Sequence, residues 1–107
     1  MLPSYRGLPK ERRLRAALEL AALVLSEHRG TEATLKPLEA LRRWHRALHL
    51  SPPSIADAQQ LRRDLSELVG MEVVDERGRT WRVSGTRGSN VVFARPLQLE
   101  QEQGVLN

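Results

Sequence analysis

Three groups of side chains have types and spacing that can do recognition chemistry. Gln59, Gln60 and Arg63 fall together in a segment of helical periodicity. Glutamine can pair with the N6 and N7 edge of adenine, and arginine with the O6 and N7 edge of guanine, so these three are candidate base-contacting residues. Arg42, Arg43 and Arg46 on the preceding helical segment, with Ser54 and Arg62, are candidate phosphate contacts. Arg77 and Arg79 flank Gly78 in a turn, and a minor groove attracts guanidinium groups through its negative potential.

Other chemistries lack their residues. His45 and His49 have the i, i+4 spacing of metal ligands, but no thiol or nearby carboxylate completes a site, and Arg46 stands where a zinc protease requires Glu. No G-x-S-x-G nucleophile turn and no Gly-rich phosphate loop occurs. The reading is therefore of a non-enzyme with no catalytic residues, no metal and no cofactor. The chain has no cysteine, which excludes a disulfide scaffold, a zinc finger and thiol redox chemistry.

The elements that must position these residues belong to one small domain. The chain has 107 residues, 40% of them apolar, and a formal net charge of +4 from 17 Lys plus Arg against 13 Asp plus Glu. All the basic residues except Lys10 and Lys36 are arginine, which favours forked, hydrogen-bonding cations over simple solubilising charge. The longest apolar stretch, Ala16 to Leu25, is interrupted by Glu19 and is too short to span a bilayer, which takes roughly 20 apolar residues. Residues 1–9 do not read as a secretory signal, so the expectation is a cytoplasmic protein without a membrane anchor.

Residues 1–9, with Pro3, Gly7 and Pro9, read as a flexible arm, and Arg6, Lys10, Arg12, Arg13 and Arg15 crowd its end. A first helix is expected from about Pro9 to His28, with Gly30 as its stop. Its middle is apolar on nearly all sides, through Leu14, Leu18, Ala21 and Leu25 with Leu20, Leu23 and Val24, and belongs in the core. A second helix follows Thr34 as cap, with Leu38, Leu41, Trp44 or His45, and Leu48 on its dry face and Glu39, Arg42, Arg43 and Arg46 outside. Pro52-Pro53 breaks it, and Ser51, or Ser54 with Asp57, caps a third helix over about 54–69. That helix is expected to bury Ile55, Ala58, Leu61, Leu65 and Leu68 and to present Gln59, Gln60, Arg63 and Glu67, with Arg62 on a flank. After Gly70 the period changes to 2, over 71–75, 80–84 and 91–94, giving a three-stranded antiparallel meander. Its two turns, around Arg77-Gly78-Arg79 and Arg87-Gly88-Ser89-Asn90, must lie at opposite ends. Residues 97–107 form a polar, acidic tail. The expected fold is thus α+β, mainly α: a three-helix bundle followed by the meander, as a single domain over 10–96.

Three helices followed at once by a basic hairpin, over Leu35 to Ala94, is the order of winged helix-turn-helix domains. Leu61-Arg62-Arg63-Asp64-Leu65-Ser66-Glu67-Leu68, closing on Gly70-Met71-Glu72-Val73 and then Thr80-Trp81-Arg82-Val83, resembles bacterial and phage transcriptional regulators of that type. The resemblance implies a small double-stranded DNA-binding protein, a transcriptional or replication regulator. Its third helix would enter the major groove, its second would brace the duplex, and its wing, at Arg77 and Arg79, would touch backbone or minor groove. The segment 51–70 is about one turn longer than usual in that family. Regulators of this type often read paired half-sites as dimers, and the first helix and the residues Leu97, Leu99, Val105 and Leu106 are the candidate surfaces for a homodimer. The alternative is a protein-binding adaptor or inhibitor, such as a phage or mobile-element factor acting on a host nucleic-acid machine. In the bland reading of the basic faces, Glu39 pairs with Arg43, and Arg63 with Glu67, as weak surface ion pairs.

Overall fold

The computed structural model describes residues 4–47 and 52–96. Within them run α1 (Lys10–Leu25), β1 (Glu32–Leu35), α2 (Pro37–Ala47), α3 (Ile55–Ser66), β2 (Glu72–Val74), β3 (Thr80–Arg87) and β4 (Asn90–Ala94). The fold is α+β, with three helices and one antiparallel sheet in the order β1-β4-β3-β2. The expectations for Leu48, His49, Ser51 and the surface at Leu97, Leu99, Val105 and Leu106 fall outside the described residues. Among the described residues, no helix is long and apolar enough to cross a membrane.

The sheet has four strands where three were expected. Glu32–Leu35 pairs with β4, Ala33 opposite Phe93 and Leu35 opposite Val91, and Arg95 N–H extends the ladder by donating to Thr31 C=O at 2.8 Å. Thr34 is therefore a strand residue and not a helix cap. Glu, Ala and Leu are poor local evidence for a strand, and this one exists because a partner far along the chain satisfies its backbone. The local hint lies at Lys36, since a residue before proline is pushed out of the helical region. The extra strand places β4 in the sheet interior, and Val91, Val92 and Phe93 are all buried there.

The helices cover one face of the sheet. Trp81 and Val83 of β3, Val91 and Phe93 of β4, and Leu35 of β1 join Leu20 and Leu25 of α1, Leu41 of α2, and Leu61 and Leu65 of α3 in one core. On α1 the buried set is Ala16, Ala17, Leu20, Ala21 and Leu25, while Leu14, Leu18, Leu23 and Val24 are half-buried. The three alanines let neighbouring elements approach this helix closely.

α3 begins on a reciprocal cap. Ser54 Oγ accepts from Asp57 N–H at 3.1 Å, and Asp57 accepts from Ser54 N–H at 2.9 Å. Gly70, at φ +89°, follows the end of α3 and leads into β2. Ile55, expected in the core, is 62% exposed. At about 100° per residue, it sits roughly a quarter turn away from the direction shared by Leu61 and Leu65.

Residues 4–9 of the expected arm are irregular, and Tyr5 and Arg6 are bonded to α3. Tyr5 is fully buried, and its hydroxyl donates to Asp64 Oδ2 of α3 at 2.6 Å. Asp64 also accepts from Arg13 Nε of α1 at 3.1 Å and from Gln60 Nε2 at 2.9 Å. Arg6 N–H donates to Asp57 Oδ1 at 3.0 Å. Burial first, then the hydrogen bond to Asp64, pushes the Tyr5 hydroxyl well above the usual tyrosine range.

Two substitutions test this joint by urea unfolding. Tyr5→Phe removes one hydrogen bond to a carboxylate and is expected to cost about 1.5–3 kcal/mol. Asp64→Ala leaves the Arg13 guanidinium and the Tyr5 hydroxyl without their acceptor and is expected to cost about 3–5 kcal/mol. Equal, negligible losses would show that the arm is not anchored through Asp64.

Candidate functional site

A groove of about 380 Å³ runs between the start of α2, the outer face of α3 and the β3–β4 turn. Pro37, Leu38, Ile55 and Ala58 give it an apolar floor, and Lys36, Arg42 and Arg62 surround it, opposed by Glu39. Gln59, Ser89 and Asn90 complete the lining. Three elements supply these residues, and each is fixed by local chemistry. Lys36 and Pro37 mark the passage from β1 into α2, where proline in the first turn lacks only an N–H that would have no helical partner. The Ser54–Asp57 cap sets the entry of α3. The turn joins Arg87 to Asn90, which pair directly, so only Gly88 and Ser89 bridge the strands. A two-residue hairpin needs a positive φ at its first central position, and Gly88 stands there at +63°. Arg62 Nε donates to Gly88 C=O at 2.8 Å, tying the turn to α3.

The residues singled out from the sequence divide between this groove and other places. Arg42, Gln59 and Arg62 meet in it. Gln60 and Arg63 do not share the groove with Gln59: Arg63 Nη2 donates to Gln60 Oε1 at 3.0 Å, and Gln60 donates to buried Asp64. α3 thus carries two outward stripes, a mixed one along Ile55, Gln59 and Arg62 toward the groove, and a polar one along Gln60, Arg63 and Glu67 toward α1. Glu67 pairs with Lys10 at 3.7 Å and not with Arg63. Arg43 leaves the basic face, because its guanidinium grips Glu27 with two bonds of 2.8 and 2.7 Å; Glu39 is not its partner. Arg46 is exposed and lines an adjoining depression with Arg42, Pro52 and Pro53. Ser54 is engaged in its cap, and the buried Asp57 carboxylate already occupies the amino end of α3 where a phosphate was expected.

Arg77 and Arg79 lie at the other end of β3, a strand whose eight residues span roughly 25 Å. The structure does not bring them to α3. Asp75, itself 5% exposed, builds their turn: its Oδ1 accepts from the N–H groups of Arg77 and Arg79 at 2.8 and 2.9 Å. Its Oδ2 accepts from Arg79 Nε at 2.8 Å and from Trp81 Nε1 at 2.9 Å. Arg79 Nη2 continues to Leu25 C=O at 2.9 Å, at the end of α1. The last turn of α1 has no basic residue of its own, so Arg79 supplies the cation that a helix carboxyl end favours. Arg79 is structural, and the turn that reaches α3 is the one at Arg87–Asn90.

Sequence reasoning missed Lys36, Ile55, Ser89 and Asn90 as groove residues. For Ile55 the signal was its phase on the helix. For the turn it was the second hairpin with a central glycine. Among the described residues, no group of three or more His, Asp or Glu is placed to hold a metal ion; His45 is buried on α2 with its ring edge-on to Trp44, and His49 lies outside the described residues.

No family model matches the chain, and neither a curated protein nor a solved structure matches it. The geometry itself therefore carries the functional argument.

Two measurements follow. Burial opposes ionisation of Asp75, but the Trp81 indole, the backbone N–H groups of Arg79 and Arg77 and the Arg79 side chain outweigh it and hold the carboxyl down to about 2. A depressed carboxylate stabilises the fold above its ordinary pKa, and that contribution is lost as pH falls. Stability should drop between about pH 4 and pH 2, and Asp75→Asn should flatten that part of a stability–pH curve measured by urea unfolding. Gly88→Ala meets no neighbour within 4 Å, so its cost is the positive φ alone, about 1–2 kcal/mol, readable as a lower melting temperature.

Proposed function

We propose that the chain is a small double-stranded DNA-binding protein, a transcriptional or replication regulator. In this reading α3 faces the major groove, α2 clamps phosphates, and the β3–β4 hairpin takes the place of the wing. The order helix, strand, two helices and hairpin, with the last strand returning to pair with β1, supports a winged-helix arrangement. The observation that carries the reading is the convergence of Lys36, Arg42 and Arg62 with Gln59 and the β3–β4 turn around one groove. Cations at the rim suit phosphate oxygens, and an exposed helix face with an amide suits base edges. Compared with the sequence expectation, the wing moves from Arg77 and Arg79 to the turn between Arg87 and Asn90, and the phosphate clamp loses Arg43.

The alternative, a protein-binding adaptor, is favoured by a separate feature: Val69, Met71 and Val74 near the end of α3 and along β2 are 53, 49 and 58% exposed. Exposed apolar groups of this kind suit a protein partner.

A salt titration of binding to random duplex, single strand and RNA distinguishes these. Duplex affinity should fall with salt at a log–log slope near −0.9 per phosphate contacted. Arg42→Ala should weaken binding on all sequences alike and reduce the slope by about 0.9. Arg43→Ala and Arg77→Ala should leave the slope unchanged. Absence of duplex binding at low salt, or equal effects of all three substitutions, would overturn the proposal.

A further inference from the structure

Ile55 is anomalous in its setting. It opens α3, is 62% exposed, and lines a groove rimmed by Lys36, Arg42 and Arg62. A surface that met only phosphate and water would gain nothing from a large branched hydrocarbon among three cations. The side chain fits a partner that offers an apolar group inside a polyanion. In a duplex the major groove offers one, the 5-methyl group of thymine.

The neighbouring residue completes the match. Gln59 follows Ile55 by one helical turn, on the same side of α3 and about 6 Å along its axis. Among the described residues, its side-chain amide makes no hydrogen bond, whereas that of Gln60 is held by Asp64 and Arg63. An exposed glutamine amide can donate to adenine N7 and accept from adenine N6. Arg62, one turn further, is anchored through Nε to Gly88 C=O. Its terminal nitrogens remain for the backbone.

Resting on the DNA-binding reading above, we infer that Ile55 and Gln59 together select A·T-containing steps in the major groove, Ile55 through the thymine methyl and Gln59 through the adenine edge. Arg42 and Arg62 hold the flanking phosphates, so sequence preference resides in the first two turns of α3.

Selection of preferred duplexes from a random pool, followed by replacement of thymine with uracil in the selected site, tests this. Uracil keeps every pairing group and lacks only the methyl. The wild-type protein is expected to bind the uracil duplex about fourfold more weakly. Ile55→Ala should bind the thymine duplex more weakly by a similar factor and no longer distinguish the two. Gln59→Ala should lose about tenfold of the preference for adenine over guanine at one position, with the salt slope unchanged. Both residues are exposed, so the variants should melt with the wild type. Duplex binding with a normal salt slope but no A·T selection, or equal affinity for thymine and uracil, overturns this inference and leaves duplex binding standing. Binding to no duplex overturns both.

Discussion

The Asp64 carboxylate is the constraint on which the rest of the arrangement depends. It is nearly fully buried and receives hydrogen bonds from the amino-terminal arm, from α1 and from its own helix. A buried carboxylate is costly unless its lone pairs are satisfied, so α3 has little freedom to rotate without breaking several bonds at once. That rotation determines which side chains face outward. With Asp64 turned toward Tyr5 and Arg13, Gln60 and Arg63 follow it to the α1 side, and Ile55, Gln59 and Arg62 are left on the groove.

A second buried carboxylate has a comparable role at the other end of α1. Asp75 gathers the β2–β3 turn, the Trp81 indole and Arg79, and Arg79 in turn caps the end of α1. The two basic hairpin turns therefore have different roles despite similar composition. One is locked into the core by its acidic neighbour. The other, bridged only by Gly88 and Ser89, is tied to α3 by Arg62. Ion pairing also thins the basic surface: Arg13 and Arg79 face buried carboxylates, while Arg43 is held by Glu27 at the surface.

Much of the helical scaffold was legible because its signals are local. Pro37 in a first turn, the Ser54 to Asp57 spacing and Gly70 after α3 mark ends that the structure reproduces within a few residues. The hairpin strands were legible from their alternation. β1 was not, because its four residues become a strand only against β4. The candidate site was legible in part. Arg42, Gln59 and Arg62 carry over, while the partners that draw Gln60, Arg43, Arg63 and Arg79 elsewhere lie on other elements or depend on how the helix is turned.

The sequence by itself determined the overall charge, the absence of thiol chemistry and, among the described residues, the three helices and the hairpins. These follow from residue type and short-range periodicity. Only the tertiary structure decided which arginines remain available and which turn stands beside α3. That decision rests on hydrogen bonds from Tyr5 to Asp64, from Arg43 to Glu27 and from Arg79 to Leu25. Each links residues too distant along the chain for any local pattern to reveal them.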